Sequence, residues 1–534
     1  MRSRVYRVWL AGLIIAFAST SGGWLLSRGL SVEWHRPSDG RLFDAVFDRV
    51  LHDYVDSIPE SQLFRFATVG MLRQLRDPYT LYLPPERLAR LTERTSGNYI
   101  GIGAQVQRRD EWPLIVAPYP GSPAERAGLR TGDRIVEVDG ASTRGWTVDE
   151  TVRALRGPPG TTVRLVVERP GLEGRLTFTL TRGGVHRRAV ARTALLRGNV
   201  GYVDVNFFND STEIELQRAI DSLKARGMRS LILDLRGNPG GVLTQGTAVA
   251  DLFLDSAKTI VRLQGRTPDA NRVIQDTSAQ RWPDLILTVL IDEGSASASE
   301  IVAGALQDHD RALVMGRRSF GKGSAQGVFA LPSGGAVKLT TSRWFTPSGR
   351  SIDRLPLGNG DLGLGDTETR PDTFRSAAGR PLPSGGGIVP DVVAGDTALT
   401  PGELALEQAL GTRAIEFRNA MGDVAIRVKA RSEVSTPDFE VTQEMLDELL
   451  RAARARGLAL DRSTIQGARS LVVRLLAREI ARYVFGPQGE VQRSIRDDPV
   501  IQLAARLSSD VSSQQQLFER ATMADTARST SPRR

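Results

Sequence analysis

Between Gly201 and about Val393, short apolar runs alternate with stretches whose apolar residues recur at three- and four-residue spacing, and this constrains the fold more than any other feature of the chain. Ser230–Leu235 and Leu285–Ile291 read as buried strands, and Val242–Leu254 and Ser297–Gln307 as helices. Strands interleaved with helices in this way require an α/β core.

The flanking segments differ in kind. Residues 1–37 begin with Arg2, Arg4 and Arg7, followed by the mostly apolar run Val8–Leu26, the pattern of an export signal or a membrane anchor. Cleavage near Ala16-Phe17-Ala18 and retention as a single anchor both stay open, with run length favouring the anchor; either places the remainder in the cell envelope, outside the cytoplasm. Residues 38–97 read as a helical N-terminal region, with Leu42, Phe43, Val46, Phe47, Val50, Leu51 and Tyr54 on one helical face. Residues 98–183 change to short strands punctuated by Gly and Pro. Ser122-Pro123-Ala124-Glu125 opens a brief helix stopped by Gly128, and Thr147 opens a second. Residues 184–399 hold the α/β core, entered through a connector carrying Arg182, Arg187, Arg188, Arg192 and Arg197 that reads as a solvated linker. Asp353–Gly387 reads as a long surface loop. Residues 400–534 return to helix, with a stop expected at Gly486-Pro487 and a disordered tail of about a dozen residues.

Composition removes several chemistries. The chain has no cysteine and four histidines, so thiol nucleophiles, disulfides and Cys- or His-rich metal sites drop out, and no metal or other cofactor is expected. The net charge of +9 is spread among 61 acidic residues and forms no stripe of the kind nucleic acid needs. Five of the 70 basic residues are lysines (Lys224, Lys258, Lys322, Lys338 and Lys429), and only lysine can supply a neutral amine.

Three segments of the core carry the candidate chemistry. Gly294-Ser295-Ala296-Ser297-Ala298-Ser299-Glu300 lies between a buried strand and a helix; Ser297 with Glu300 has the spacing of a capping box, and the small neighbours leave room for a substrate backbone. Asp234-Leu235-Arg236-Gly237-Asn238-Pro239-Gly240-Gly241 ends a strand and opens a helix. Gly316 to Gly327 contains Phe320-Gly321-Lys322-Gly323-Ser324-Ala325-Gln326. It nearly spells a phosphate-binding loop, but Gly323 stands where the Mg²⁺-binding hydroxyl belongs and a strand, not a helix, is expected to follow.

Taken with the Tyr99-Ile100-Gly101-Ile102-Gly103-Ala104 loop, Asp77-Pro78, Phe345 to Ile352 and Gly387 to Val392, the order of these motifs resembles the carboxyl-terminal processing, or tail-specific, proteases that carry a PDZ domain. The resemblance spans roughly Leu42 to Val393. It implies that Ser297 is the nucleophile, Lys322 its general base and Gln326 the residue holding the amine. The oxyanion hole would use the N–H groups of Ala298 and Gly241. The loop Ile100, Gly101, Ile102 and Gly103 would take the carboxylate of a peptide that adds a strand to the sheet edge. Partners are then protein or peptide substrates with free C-terminal tails, with membrane attachment through the N-terminal segment, no nucleic acid, and an oligomer possible. The residues support the chemistry independently, because a serine needs a base and a lysine acting near neutral pH must lose about three pKa units through burial. Two other readings stay open: a non-catalytic PDZ scaffold on a protease fold, and a nucleotide-binding enzyme using the segment around Lys322.

Overall fold

The computed structural model describes residues 38–332, 334–354, 373–395 and 399–529. The export or anchor segment and about half of the Asp353–Gly387 loop lie outside these residues. Among the described residues no helix is long and apolar enough to cross a membrane.

The chain divides at Arg76 into two units. The described residues of the first form two helices, α1 (Ser38–Asp53) and α2 (Glu60–Gln74). They meet through Phe47, whose ring lies 4.3 Å from that of Phe64 and 6.1 Å from that of Phe43. The second unit begins with a strand, β1 (Leu81–Leu83), and a helix, α3 (Pro85–Ser96). The helical region anticipated over 38–97 therefore straddles both units and contains a strand of the core.

A β-rich module follows. Strands β2 (Asn98–Gly101) and β9 (Gly183–His186) pair as an antiparallel ribbon that joins the module to the core. Between them lie β3 (Ala104–Arg109), β4 (Trp112–Pro118), β5 (Arg134–Val138), β6 (Ala141–Ser142), β7 (Thr162–Glu168) and β8 (Arg175–Thr181), with β3 at one edge of the sheet. The brief helix α4 (Pro123–Arg126) is capped by Ser122, whose Oγ accepts from the N–H of Glu125. The longer α5 (Val148–Leu155) starts on the Thr147–Glu150 capping box, where two otherwise unpaired N–H groups find side-chain acceptors. Ile115, Ile135, Val163 and Leu165 fill the module's own core. The connector expected as a solvated linker is mostly strand. Arg182 is buried, donating to Thr162 O and Ala154 O, and Arg192 pairs with Asp204 on the neighbouring strand. The linker reading fails for Arg182 and Arg192, whose partners lie elsewhere in the chain, whereas Arg187, Arg188 and Arg197 are exposed as expected.

The core sheet has the order β10-β11-β12-β15-β16-β21. These strands are β10 (Val190–Leu196), β11 (Val200–Val205), β12 (Ser230–Asp234), β15 (Ile286–Ile291), β16 (Leu313–Gly316) and β21 (Val392–Val393). All pairings are parallel except β10 with β11. Successive residues alternate faces, so Leu231 and Leu233 pack against helices α6 (Thr212–Ala225), α7 (Leu243–Asp251) and α8 (Ala298–Asp308) while Ile232 faces the other way. A second, antiparallel sheet runs β1-β18-β13-β14, with β17 also on β18: β13 (Thr259–Gly265), β14 (Arg272–Gln275), β17 (Ser324–Ala330) and β18 (Ala336–Phe345). Strands β19 (Thr373–Arg375) and β20 (Pro381–Pro383) form a hairpin inside the stretch expected to be loop. Arg380 anchors it to Asp310 and Asp391.

The C-terminal region is helical and is not an appendage. Helices α9 (Pro401–Leu410), α10 (Ala414–Arg431), α11 (Gln443–Ala455), α12 (Arg462–Gly467) and α13 (Arg469–Asp497) enclose a separate apolar core. The expected stop at Gly486-Pro487 is a kink within α13: Gly486 has φ 73, and the helix resumes beyond it because proline is tolerated at a first helical turn. Helices α14 (Pro499–Ser508) and α15 (Gln514–Ser529) then cover the second face of the core sheet through Val500, Ile501, Leu503, Ala504, Leu507 and Leu517. Of the last dozen residues, expected to be disordered, 523–529 continue α15 and 530–534 lie outside the described residues.

Candidate active site

The segment Asp292–Ser299 crosses from the C-terminal end of β15 into α8, where the ends of parallel strands leave a crevice. Its three alternating serines separate by what their hydroxyls do. Ser295 Oγ donates to Leu235 O at 2.8 Å, and Ser299 Oγ donates to Asn238 O at 2.9 Å. Both are buried and serve to fix the Leu235–Gly241 turn against the helix start. Ser297 is only partly buried and sits at φ 55, ψ −114, a conformation that costs an L-residue about 1–3 kcal/mol and marks a sharp turn held by its surroundings.

The surroundings that hold it are the Gly-rich turn and one carboxylate. A Cβ on Gly240 would lie 2.6 Å from Ala296 O, 2.8 Å from Ser297 Cβ and 2.9 Å from Ala298 N, so only glycine permits this approach. Asn238, fully buried, donates from Nδ2 to Val205 O at 2.6 Å and accepts the N–H of Gly240 at 2.9 Å, which shapes the turn. Phe208 brackets Gly241, donating its N–H to Gly240 O and accepting that of Val242, both at 3.0 Å. The N–H groups of Gly241 and Ala298 donate to no acceptor among the described residues; for Ala298, at the first position of α8, no intrahelical partner exists. Two unpaired donors therefore lie beside Ser297.

Glu300, which the sequence marks only as half of a capping box, makes more contacts than that spacing implies. Its capping-box half is present, with Oε2 accepting the N–H of Ser297 at 2.8 Å. The same oxygen accepts the N–H of Lys322 at 3.0 Å, and Oε1 accepts from Gly321 N–H at 2.7 Å and Ser319 Oγ at 2.5 Å. One buried carboxylate thus clamps the backbones of Ser297 and Lys322, whose nitrogens can be no farther apart than the sum of their distances to Oε2. Burial pushes the Glu300 carboxyl upward, opposed by those four donors. The spacing Ser-x-x-Glu was legible; the loop that returns to the same carboxylate was not.

Lys322 lies between Gly321 and Gly323, and β17 begins two residues later, so the helix that a phosphate-binding loop requires is replaced by a strand. Burial lowers its amine to about 8, reinforced by Lys338 and opposed by Glu300, Asp77 and Asp353. The Nζ atom stands 4.6 Å from the centre of the Tyr79 ring. Tyr79 is placed by Asp77, which accepts its N–H at 2.9 Å and Thr80 Oγ1 at 2.6 Å. No hydrogen bond joins Ser297 Oγ to Lys322 Nζ among the described residues. Gln326 Nε2 donates to Ser324 Oγ at 3.0 Å and Thr340 Oγ1 at 3.2 Å instead of contacting the amine. His309 closes the opposite end of α8 and engages Thr259 O at 2.7 Å, away from Ser297.

In the β-rich module a cavity of about 260 Å³ opens between β3 and α5. Gly101, Ile102 and Gly103 line it, whereas Ile100 is paired with Gly184 in the β2–β9 ribbon and is not on its wall.

Comparison with known proteins identifies two kinds of domain in the chain. The model of peptidase family S41 matches residues 199–357, and that of the PDZ domain matches residues 114–169. A probable CtpA-like serine protease of Staphylococcus haemolyticus (strain JCSC1435) is 36% identical over 302 residues, which cover 56% of this chain and 60% of that protein. Its namesake in Staphylococcus aureus (strain N315) is 37% identical over 301 residues, with the same coverage. The chain thus spans 60% of the length of these curated relatives. The solved photosystem II D1 C-terminal processing protease is 30% identical, covering 67% of this chain and 87% of that one, with a TM-score of 0.36.

Proposed function

Because the chain belongs to peptidase family S41 and carries a PDZ domain, we propose that it is a serine endopeptidase that cleaves proteins near their C-termini with a Ser297–Lys322 dyad. The observation that carries this reading is the Glu300 carboxylate, which holds the backbones of both residues while burial brings the lysine amine to about 8. In the reaction Ser297 Oγ attacks the scissile carbonyl and Lys322 Nζ takes its proton. The N–H groups of Gly241 and Ala298 receive the oxyanion, a contribution of about 10²–10³ in rate for each donor. The lysine then returns the proton to the leaving amine, and water hydrolyses the acyl-enzyme. The PDZ groove captures the substrate tail. The basic, apolar N-terminal sequence supports action in the cell envelope.

Digestion of an unstructured, apolar-tailed protein by wild type, Ser297→Ala and Lys322→Arg in parallel tests the proposal. Cleavage by wild type alone is expected, since arginine keeps the charge but cannot accept the proton. The missing Ser297–Lys322 hydrogen bond favours a second reading, a scaffold that binds tails without cutting them. That reading wins if wild type leaves the substrate intact and Ser297→Ala binds it equally well.

A further inference from the structure

The groove of the PDZ domain is not walled by that domain alone. On one side β3, the edge strand of its sheet, faces α5, and Ile102, Val152 and Leu155 give this side an apolar lining. The lining also takes in Arg94 from α3, Arg187 just after β9, and Phe207 from the segment that follows β11. The Arg187 guanidinium stacks on the Phe207 ring, 4.3 Å from its centre. Arg156, at the end of α5, also lines the cavity; it is paired with Glu93 at 2.6 Å and lies over the Tyr99 ring, while its Nε is buried without a partner.

Counting charges in this groove gives three guanidinium groups against the single carboxylate of Glu93, which Arg156 already holds. Neither Arg94 nor Arg187 has a carboxylate partner among the described residues. The N–H groups of Ile102 and Gly103, which have no acceptor among the described residues, suit the terminal carboxylate of a peptide, which leaves the two arginines for a second negative charge. Side chains of an added strand alternate in direction. If the last one enters the apolar side between β3 and α5, the one before it points the opposite way, toward the arginines.

We propose that the groove selects tails whose last residue is apolar and whose penultimate residue is Asp or Glu. The preference rests on the tail-capture reading above and adds the chemical class of tail. Exposed ion pairs are individually modest, so two arginines should favour a penultimate Glu over Lys by roughly three- to tenfold in affinity, less at high salt.

The experiment titrates three fluorescent decapeptides, identical except for Glu, Gln or Lys at the penultimate position before a C-terminal alanine, onto the full chain carrying Ser297→Ala. The expected order is Glu tighter than Gln and Gln tighter than Lys, with the spread narrowing in 0.5 M salt. It should collapse in Arg94→Gln/Arg187→Gln and persist in Arg187→Lys. Equal affinities, or a spread that survives loss of both arginines, would overturn the charge preference alone. Failure of all three peptides to bind would overturn tail capture itself, and the preference with it.

Discussion

Replacing Lys322 by methionine should abolish cleavage and at the same time make the protein more stable at neutral pH. Burial takes the amine from the ordinary 10.5 to about 8, which corresponds to about 3 kcal/mol of disfavour for the ammonium in the folded state. Lys322 is not fully enclosed, so screening trims this to about 2–3 kcal/mol. Methionine has nearly the same length and reach without the charge, and it keeps a contact with the Tyr79 ring. The sign follows from proton binding. Between about pH 8 and pH 10.5 the unfolded chain holds a proton on this amine that the folded chain has released, so wild-type stability rises with pH through that window. Below pH 8 both states are protonated and the full penalty applies. Denaturation of wild type and Lys322→Met should therefore show the variant ahead by about 2–3 kcal/mol at pH 7, with the gap closing toward pH 10.5. A variant that is less stable than wild type at pH 7, or a gap independent of pH, would refute the claim that burial keeps this amine near neutrality.

Other substitutions probe the supporting structure. Glu300→Gln puts an NH₂ donor where four donors converge, leaving at least one buried N–H unpaired at a cost of about 1–3 kcal/mol. Peptidase turnover should fall at least about tenfold while PDZ peptide affinity stays unchanged, since the clamp acts on the two dyad backbones. Arg109→Ala removes a buried guanidinium that donates to Asp423 at 2.5 Å and to Tyr483 Oη and Asn419 O at 3.0 Å, tying the β3–β4 turn of the PDZ domain to the C-terminal helices. Loss of about 3–5 kcal/mol at this contact should appear as faster hydrogen exchange on both sides of it, with the core sheet unaffected. A chain ending at residue 497 loses α14 and α15 and bares one face of the core sheet. Burial of Val500, Ile501, Leu503, Leu507 and Leu517 at about 1.5–3 kcal/mol each is comparable to the whole stability of a domain, so this truncation should yield no soluble peptidase.

How much of this could be read from the sequence depends on the range of the interaction. Local signals were sufficient where a few neighbouring residues decide the outcome, as in the Ser122 and Thr147 caps, the buried strands at Ser230 and Leu285, and the helix opening at Ser297. What could not be read depends on partners distant in the chain. Glu300 looked like half a cap because Lys322 returns to it only through the fold. Arg182 looked solvated because its acceptors belong to α5 and β7. The C-terminal helices looked like an extension because nothing in their spacing says which sheet they cover. Gly486-Pro487 looked like a terminator because the packing of Ile480 and Ile495, on either side of the kink, is tertiary. Ser297 itself was placed by resemblance and by its position before a helix. Its strained φ, and the bonds that occupy the hydroxyls of Ser295 and Ser299, are what set it apart from its neighbours.

The most direct test of the account is intact-mass analysis of the purified chain after incubation with a fluorophosphonate, followed by peptide mapping. A single adduct on Ser297 is expected, forming faster as pH rises through about 8 and absent from Ser297→Ala and Lys322→Met. An adduct on Ser295 or Ser299, or continued cleavage of a tailed substrate by Ser297→Ala, would contradict it.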